Sequence, residues 1–242
     1  MLQVMASASR LAAVGICAVL VAAVAAAGGG AHTSWDGCTG RAGDVRFRSA
    51  DGTRLVGHLF GRGPKAIVFA HQRPGDLCQW LWFAKREARR GYRALVFDLR
   101  NYGQSQHRQT LTRGFGQDVA AAARFVRSRG ARKVFLVGAS FGGSAVIAGG
   151  ADARPQVDGV VSVSGAADLV GAIDAAPRLQ APVLFLAGRF DNDFASEARR
   201  LYSATASADK EIRILERGEH GTDLVGSSLA ARRLIDGFFA TH

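Results

Sequence analysis

Acidic side chains and lysines are scarce in this sequence of 242 residues, in which 20 Asp and Glu stand against 31 Lys and Arg, for a formal net charge of +11. Only four of the basic residues are lysines, so arginine carries the excess. Clustered basic side chains can bind nucleic-acid phosphates, but the chain has no basic run longer than a pair and no aromatic stacking pattern between its arginines. We therefore expect no specific nucleic-acid binding. The arginines either form a solvated surface or attract anionic surfaces and substrates.

Charge is almost absent from the first 31 residues, where Arg10 is the only charged side chain. Residues 11–27 form an unbroken run of small and apolar residues that ends in three alanines. This pattern is typical of a secretory signal peptide, and the run is slightly short for a membrane span, which needs about 20 residues. We predict a signal peptide over residues 1–27, a linker over residues 28–43, and a secreted or cell-envelope protein. An uncleaved N-terminal membrane anchor is the alternative.

Cysteine is also rare, with three in the chain. Cys17 lies within the predicted signal peptide, so cleavage leaves Cys38 and Cys78. In an oxidising compartment an even pair of cysteines predicts a disulfide, and two unpaired buried thiols are the alternative. Neither cysteine lies in a glycine-flanked elbow, which argues against a catalytic thiol.

Hydrophobic residues make up 48% of the sequence, which is enough for one sizeable core. Apolar runs typical of buried strands alternate with amphipathic stretches typical of helices, and this rhythm argues for one domain over residues 44–242. A predicted hairpin at 44–60 comes first. The other predicted strands are 65–70, 93–97, 133–137, 157–163, 182–187 and 211–215, and the predicted helices are 76–90, 115–128, 143–150, 193–203 and 224–239.

The segment KVFLVGASFGG at residues 133–143 reads as a strand, a tight turn and the start of a helix. Its turn is Gly138-Ala139-Ser140-Phe141-Gly142, a Gly-x-Ser-x-Gly motif. Between a strand and a helix this motif is typical of a nucleophile elbow, in which the flanking glycines leave no Cβ to clash and the serine Oγ is exposed above the sheet. We infer that Ser140 is the candidate nucleophile.

A nucleophilic serine needs a base and a carboxylate that orients the base, and in this arrangement they follow in the order Ser, Asp, His. Asp191 lies on a loop after the predicted strand at 182–187, and His220 lies on a loop after the predicted strand at 211–215. We therefore predict Asp191 as the acid and His220 as the base. Asp193, two residues beyond Asp191, is the alternative acid.

An acyl-transfer site also needs two backbone N–H groups directed at the developing oxyanion. Phe141, the residue after the nucleophile, is predicted to supply one of them. The loop after the predicted strand at 65–70 supplies the other, from Arg73 or from Gln72, with Arg73 preferred.

Two further residues with acid–base chemistry, His71 and Asp98, each follow a predicted strand but precede Ser140, which is the wrong chain order for this arrangement. We interpret His71 as a structural residue that is hydrogen bonded within its loop. We interpret Asp98 as a carboxylate that braces its loop through Arg100 or through backbone amides.

These motifs resemble those of the α/β-hydrolase superfamily, and in particular its small, lidless serine hydrolases of the dienelactone-hydrolase-like and esterase-like branch. The resemblance implies an α/β fold with a single doubly wound, mostly parallel sheet flanked by helices and with the triad at the carboxyl ends of the strands. The short segment at 164–181 between two predicted strands leaves no room for a large lid domain. The likeness covers roughly residues 44–242 and rests on the His71 loop, the stretch 98–105, the elbow at Ser140, the stretch 188–191 and His220-Gly221.

Gln72 and Asn101 depart from the family pattern, because glycine is common at both positions. Serine at the elbow, where dienelactone hydrolases resemble thiol enzymes, favours ester over dienelactone chemistry. We predict a serine hydrolase of the carboxylesterase type that cleaves an ester or related acyl bond of a small-molecule acyl substrate through an acyl-enzyme, without a metal or cofactor. A secreted, non-catalytic binding protein on the same scaffold, with a basic surface, is the alternative.

Overall fold

The computed structural model describes residue 38 and residues 44–109 and 114–242. The predicted signal peptide, and the predicted linker apart from Cys38, lie outside the described residues. Within the described ranges, no helix combines the length and the apolar character that crossing a membrane requires.

The described chain contains eight strands: β1 (Asp44–Arg48), β2 (Arg54–Phe60), β3 (Lys65–Ala70), β4 (Arg93–Phe97), β5 (Lys133–Ala139), β6 (Gly159–Val163), β7 (Val183–Gly188) and β8 (Lys210–Leu215). They form one sheet in the spatial order β1-β2-β4-β3-β5-β6-β7-β8. The pairs β1–β2 and β2–β4 are antiparallel, and every other pair is parallel. The predicted mostly parallel sheet is confirmed.

Helices cover both faces of this sheet: α1 (Leu81–Arg89), α2 (Gly114–Ser128), α3 (Phe141–Asp152), α4 (Ala172–Ala175), α5 (Phe194–Ala204), α6 (Thr222–Ser227) and α7 (Leu229–Thr241). α2 to α5 pack on one face, and α1, α6 and α7 pack on the other. Successive side chains of a strand point to opposite faces, so β3 buries Val68 in the first core and Ile67 and Phe69 in the second. Burial on both faces explains why the central strands are continuous apolar runs.

The segment between β6 and β7 contains only α4 and the 3-10 turn Ala176–Arg178. No large lid domain is inserted at this point, in agreement with the sequence. The segment instead packs α4 against the same face of the sheet as α3 and α5, since its alanines belong to the core that these helices share.

The predicted helix at 224–239 is two helices, α6 and α7. Ser228 between them has an extended backbone with φ −104° and ψ 112°, and its Oγ accepts a hydrogen bond from Ala231 N at 3.1 Å. Serine is a preferred N-cap because its oxygen satisfies a free amide of the first helical turn. Ser228 therefore begins a new helix inside a stretch whose apolar pattern reads as continuous.

The predicted helix at 76–90 begins with a 3-10 turn, Leu77–Trp80, which precedes α1. Asp76 caps this turn, since its Oδ1 accepts a hydrogen bond from Cys78 N at 2.9 Å. A disulfide joins Cys78 to Cys38 across 40 residues of sequence. The turn is therefore held covalently as well as by its cap.

Candidate active site

Ser140 lies at the turn from β5 into α3, with φ 50° and ψ −117°. A positive φ is strained for a residue with a Cβ, and such strain persists only where the surrounding structure holds it. An ideal Cβ on Gly138 would lie 2.1 Å from Gly142 O, and one on Gly142 would lie 2.2 Å from Ala70 O. Both flanking glycines are thus required by close backbone contacts, and the turn has the geometry of a nucleophile elbow.

Asp191 follows β7 and His220 follows β8, so both lie at the carboxyl ends of neighbouring parallel strands. Each carboxylate oxygen of Asp191 is 3.0 Å from His220 Nδ1. An ionised carboxylate only accepts hydrogen bonds, so Nδ1 carries the proton and Nε2 has a lone pair that can accept another proton. The Asp191 side chain is 1% exposed and that of His220 is 31% exposed, which places the imidazole between a buried acid and solvent.

The alternative acid, Asp193, is exposed and lies at the N-cap of α5. In the described part of the chain it makes no ion pair with His220. The residue of this helix that does contact His220 is Phe194, whose ring centroid lies 4.3 Å from that of the imidazole. Of the two candidate acids, the structure brings Asp191 to the histidine.

Ser164 belongs to the same group of side chains, although no motif indicated it. It follows β6, which lies between β5 and β7 in the sheet. Its Oγ donates a hydrogen bond to Asp191 Oδ2 at 2.7 Å and accepts one from Gly221 N at 3.2 Å. Ser164 therefore holds the carboxylate and the loop of the histidine together. The only signal for it in the sequence is its place directly after a strand.

Two short distances link the elbow of Ser140 to the end of β6 and to the loop of His220. Ser140 N donates a hydrogen bond to Val163 O at 2.8 Å, which places the elbow beside the end of β6. An ideal Cβ on Gly221 would lie 3.3 Å from the Cβ of Ala139, so the backbone after His220 passes close to the residue before Ser140. No hydrogen bond joins Ser140 Oγ to His220 within the described residues, and catalytic hydrogen bonds are often long before substrate binds.

The start of α3 and the loop after β3 are in contact where the oxyanion donors are predicted. Phe141 is the first residue of α3, and the first amides of a helix have no partner within it. Gln72 N donates a hydrogen bond to Gln79 Oε1 at 3.0 Å, so this amide is occupied and is not available to an oxyanion. Arg73 N makes no hydrogen bond among the described residues. Of the two candidates in this loop, the geometry leaves Arg73.

The side chain of Arg73 also reaches the elbow. Its guanidinium carbon lies 4.2 Å from the ring centroid of Phe141, within the range of a cation–π contact. Phe141 is held in turn by an edge-to-face contact with Phe115 at 4.7 Å between ring centroids. The contact therefore places a positive charge at the side chain of Phe141, the residue that directly follows the candidate nucleophile.

His71 is fully buried and lies beneath the loop it belongs to. Leu99 N donates a hydrogen bond to His71 Nε2 at 3.1 Å, and Nδ1 lies 3.1 Å from Gln72 O. Nε2 therefore accepts and Nδ1 donates, which defines a neutral imidazole. Burial lowers the pKa of His71 to about 4. These contacts agree with the structural interpretation of this residue.

Asp98 braces two segments through its carboxylate. Oδ1 accepts a hydrogen bond from Leu77 N at 3.0 Å, and Oδ2 accepts one from Gln104 N at 2.8 Å. The guanidinium of Arg100, by contrast, bonds to Asp118 and Asp51. The bracing role predicted for Asp98 is fulfilled by backbone amides.

Among the described ranges there is no cluster of three or more His, Cys, Asp or Glu side chains placed to hold a metal ion.

A family model and several solved structures are similar to this chain. The model, described as alpha/beta hydrolase fold, matches residues 65–220. An esterase of Pyrococcus furiosus has a TM-score of 0.72 at 15% identity, over 82% of this chain and 91% of its own. A dienelactone hydrolase of Anabaena variabilis has a TM-score of 0.70 at 21% identity, over 82% and 96%. An enol-lactonase of Burkholderia xenovorans has a TM-score of 0.67 at 16% identity, over 81% and 100%.

A curated protein of Cupriavidus necator, the dihydrolipoyllysine-residue acetyltransferase component of an acetoin cleaving system, is 32% identical over 119 residues. The match covers 49% of this chain and 31% of that protein. The chain thus spans about a third of the length of the curated relative it matches. At the identities of the solved structures, the likeness to them is one of fold.

Proposed function

Because the chain belongs to the alpha/beta hydrolase family, we propose that it is a serine hydrolase of the carboxylesterase type, which cleaves an ester or related acyl bond of a small molecule. The observation that carries the proposal is the hydrogen-bonded pair of Asp191 and His220 beside the strained elbow at Ser140. A buried acid, a partly exposed imidazole and a serine held at positive φ are the parts that nucleophilic acyl transfer needs.

Ser140 Oγ attacks the substrate carbonyl in the first step. His220 Nε2 takes the hydroxyl proton as the new bond forms, and the imidazole becomes positively charged. Asp191 holds Nδ1–H and stabilises this imidazolium without taking its proton. The attack requires Nε2 to come within about 2.6–3.2 Å of Oγ, and the closeness of Ala139 to Gly221 supports this approach.

The tetrahedral intermediate carries a negative charge on the former carbonyl oxygen. The backbone amides of Phe141 and Arg73 donate hydrogen bonds to this oxygen in the proposed mechanism. Gly142 makes this arrangement possible, because its missing side chain lets the start of α3 pack against the carbonyls of Ala70 and His71. Donors fixed by the backbone stabilise the developing charge without rearrangement, which is usually a large contribution to catalysis.

Collapse of the intermediate releases the alcohol and leaves an acyl group on Ser140. His220 donates its Nε2 proton to the leaving oxygen, so the imidazole is neutral again. Water then attacks the acyl-enzyme and gives a proton to His220 Nε2. As the bond between the acyl carbon and Ser140 Oγ breaks, the imidazole returns this proton to Oγ and the acid is released. The serine hydroxyl and the neutral imidazole are restored, because water replaces the serine proton that left with the alcohol.

An ester or lactone carbonyl fits this machinery best. Esterase, dienelactone hydrolase and enol-lactonase are the names of proteins with the same fold, and these names support carbonyl substrates of the ester type. The short segment between β6 and β7 supports a small substrate with open access, since no large insertion covers that part of the sheet edge.

The proposal is tested with a fluorophosphonate probe and a panel of p-nitrophenyl esters of graded acyl length. The wild-type protein should label with the probe and turn over at least one ester. Ser140→Ala should abolish labelling and lower kcat by about 10⁴-fold or more. Ser128→Ala, a change at an exposed serine at the end of α2, should do neither. A folded wild-type protein that neither labels nor turns over any ester would favour the non-catalytic binding protein.

Secretion is part of the same proposal. The disulfide between Cys38 and Cys78 supports it, because such bonds are typical of proteins that fold outside the cytoplasm. N-terminal sequencing of the protein exported by a bacterial host should find a mature chain that starts near residue 28. Recovery of the intact chain from membranes would indicate the uncleaved anchor instead.

A further inference from the structure

We propose that the side chain of Gln72 is a positioning residue that holds the loop of His220 against the loop of the oxyanion donor, an inference that rests on the proposed function. Its amide oxygen, Oε1, accepts a hydrogen bond from Thr222 N at 2.9 Å. Thr222 is two residues past His220, so the contact is to the backbone that carries the base. The bond joins positions 150 residues apart in the sequence.

The contact between Gln72 and Gly221 is tighter still. An ideal Cβ on Gly221 would lie 2.0 Å from Gln72 Oε1. Gly221 has φ 55° and ψ −119°, a region that residues with a side chain rarely adopt. Glycine at 221 thus leaves the space that the glutamine oxygen fills.

Two side chains hold the two amides that follow His220. Gly221 N donates to Ser164 Oγ at 3.2 Å, and Thr222 N donates to Gln72 Oε1 at 2.9 Å. Ser164 also donates a hydrogen bond to Asp191, so it links the loop of the base to the acid. Gln72 immediately precedes Arg73, so its bond to Thr222 N links the loop of the base to the loop of the proposed oxyanion donor.

Gln72 is itself held in place. Its backbone N donates to Gln79 Oε1 at 3.0 Å, and Gln79 Nε2 donates to Pro74 O at 3.0 Å. Gln79 follows Cys78, which the disulfide fixes to Cys38. A side chain can position a catalytic group only if its own conformation is fixed by neighbours. The backbone of Gln72 is fixed by Gln79, and its side chain is fixed at Oε1 by Thr222 N.

Loss of the Gln72 contact should lower kcat more than it changes KM. The contact is to the backbone of the base loop, and a displacement of about 1 Å at a reacting group can cost about 100-fold in rate. Asp191 is the charged side chain in direct contact with His220. Arg217 and Glu219 of the same loop pair with each other, and the guanidinium of Arg73 lies over the Phe141 ring. A negative charge introduced at position 72 therefore acts on the imidazole in the presence of Asp191 and Arg73.

The first experiment compares Gln72→Leu, Gln72→Glu and the control Gln156→Leu on the best p-nitrophenyl ester. Gln72→Leu should lower kcat by about 10- to 100-fold with KM within about threefold, whereas Gln156→Leu, at an exposed position, should change neither. Gln72→Glu keeps an oxygen acceptor and should recover most of kcat at alkaline pH. Its negative charge favours the imidazolium, so the acidic limb of the kcat/KM profile should move to higher pH.

The second experiment breaks the same bond from the other side. Thr222→Pro removes the donor N–H at the first residue of α6, a position where proline is common in helices. The proline ring takes the place of the hydrogen that points at Gln72 Oε1, so it also displaces the Gln72 side chain. If the hydrogen bond matters, the single variant Thr222→Pro should lower kcat. The double variant should then have a kcat close to that of Gln72→Leu. Full additivity of the two changes, or wild-type kcat in both single variants, would overturn the role of Gln72.

Failure of the Gln72 role can be distinguished from failure of the proposed function. If Ser140→Ala keeps esterase activity, the proposed function fails whatever the Gln72 variants do. If the activity depends on Ser140 but Gln72→Leu keeps the wild-type kcat and pH profile, only the positioning role fails. Thermal unfolding of each variant identifies a loss of folding, in which case Thr222→Pro decides the question alone.

Discussion

Ser164 donates a hydrogen bond from Oγ to Asp191 Oδ2 at 2.7 Å, so the carboxylate that faces His220 is also held by a hydroxyl from the end of the adjacent strand. Ser164 has φ 48°, which is strained for a residue with a side chain. The same Oγ accepts the amide of Gly221. A strained serine that serves the acid and the base loop at once is placed to keep the carboxylate in one orientation.

Ser164→Ala should therefore weaken turnover without unfolding the protein. A hydrogen bond to a charged group contributes about 1.5–3 kcal/mol, and loss of that orientation corresponds to a fall in kcat of about 10- to 100-fold. Steady-state kinetics on a p-nitrophenyl ester measure it. Ser207→Ala removes another buried serine hydroxyl, whose partners among the described residues are the backbone of Gln180 and Asp209, away from the site, and it should leave kcat unchanged. Equal effects of the two changes would contradict the role of Ser164.

Asp191→Asn should lower kcat by about 10³- to 10⁴-fold. An asparagine amide has one acceptor oxygen and a donor NH₂ group, and the NH₂ group favours the tautomer in which Nδ1 has no proton. Nε2 then carries the proton and cannot act as base. Asp193→Asn changes an exposed carboxylate of the same loop region and should stay within about twofold of the wild type. A large loss in Asp193→Asn with little loss in Asp191→Asn would reassign the acid.

The strands were predictable because burial on both faces makes them continuous apolar runs, and the candidate nucleophile, acid and base were predictable because each follows such a run in the required order. The helix break at Ser228 was not, since its neighbours keep an apolar pattern and the cap is visible only as the bond from Ala231 N to Oγ.

The supporting residues of the site were hidden for a different reason. Ser164 follows a strand, but a lone serine there has no neighbouring pattern that sets it apart. The sequence singles out Gln72 for its backbone amide, which is bonded to Gln79, and for standing where glycine is common. Its side chain meets Thr222 across 150 residues, and sequence spacing carries no information about such a contact.

Arg73 should favour anionic substrates. Its guanidinium lies over the ring of Phe141, next to Ser140, and a positive charge there attracts a carboxylate on the acyl group of the substrate. For the wild type, we expect mono-p-nitrophenyl succinate to have a higher kcat/KM than p-nitrophenyl butyrate at low salt. Arg73→Gln should lower the succinate-to-butyrate ratio by about tenfold, which corresponds to about 1.4 kcal/mol.

Arg129→Gln is the matched control for this ratio. Arg129 also lies over a phenyl ring, that of Phe125, at 5.1 Å, and it lies just after α2, at the opposite end of that helix from Phe115, which touches the ring of Phe141. The ratio should be unchanged in Arg129→Gln and should fall with rising salt in the wild type. A ratio that falls equally in both variants would show that net charge, and not the place of Arg73, sets the preference.

His71 should make the fold less stable in mild acid. Burial lowers its pKa from 6.5 to about 4, so between these values the unfolded chain binds a proton at this residue and the folded chain does not. The resulting stability is fully present above pH 6.5 and is lost as the pH falls to about 4, at roughly 1.4 kcal/mol for each pH unit or about 3 kcal/mol in all. Urea unfolding at a series of pH values measures this loss.

His71→Gln cannot gain a proton, so it should flatten the slope of the free energy of unfolding against pH between pH 6.5 and 4. His107→Gln, at an exposed histidine, should leave this slope as it is in the wild type. Parallel curves for wild type and His71→Gln would show that other groups cause the acid sensitivity.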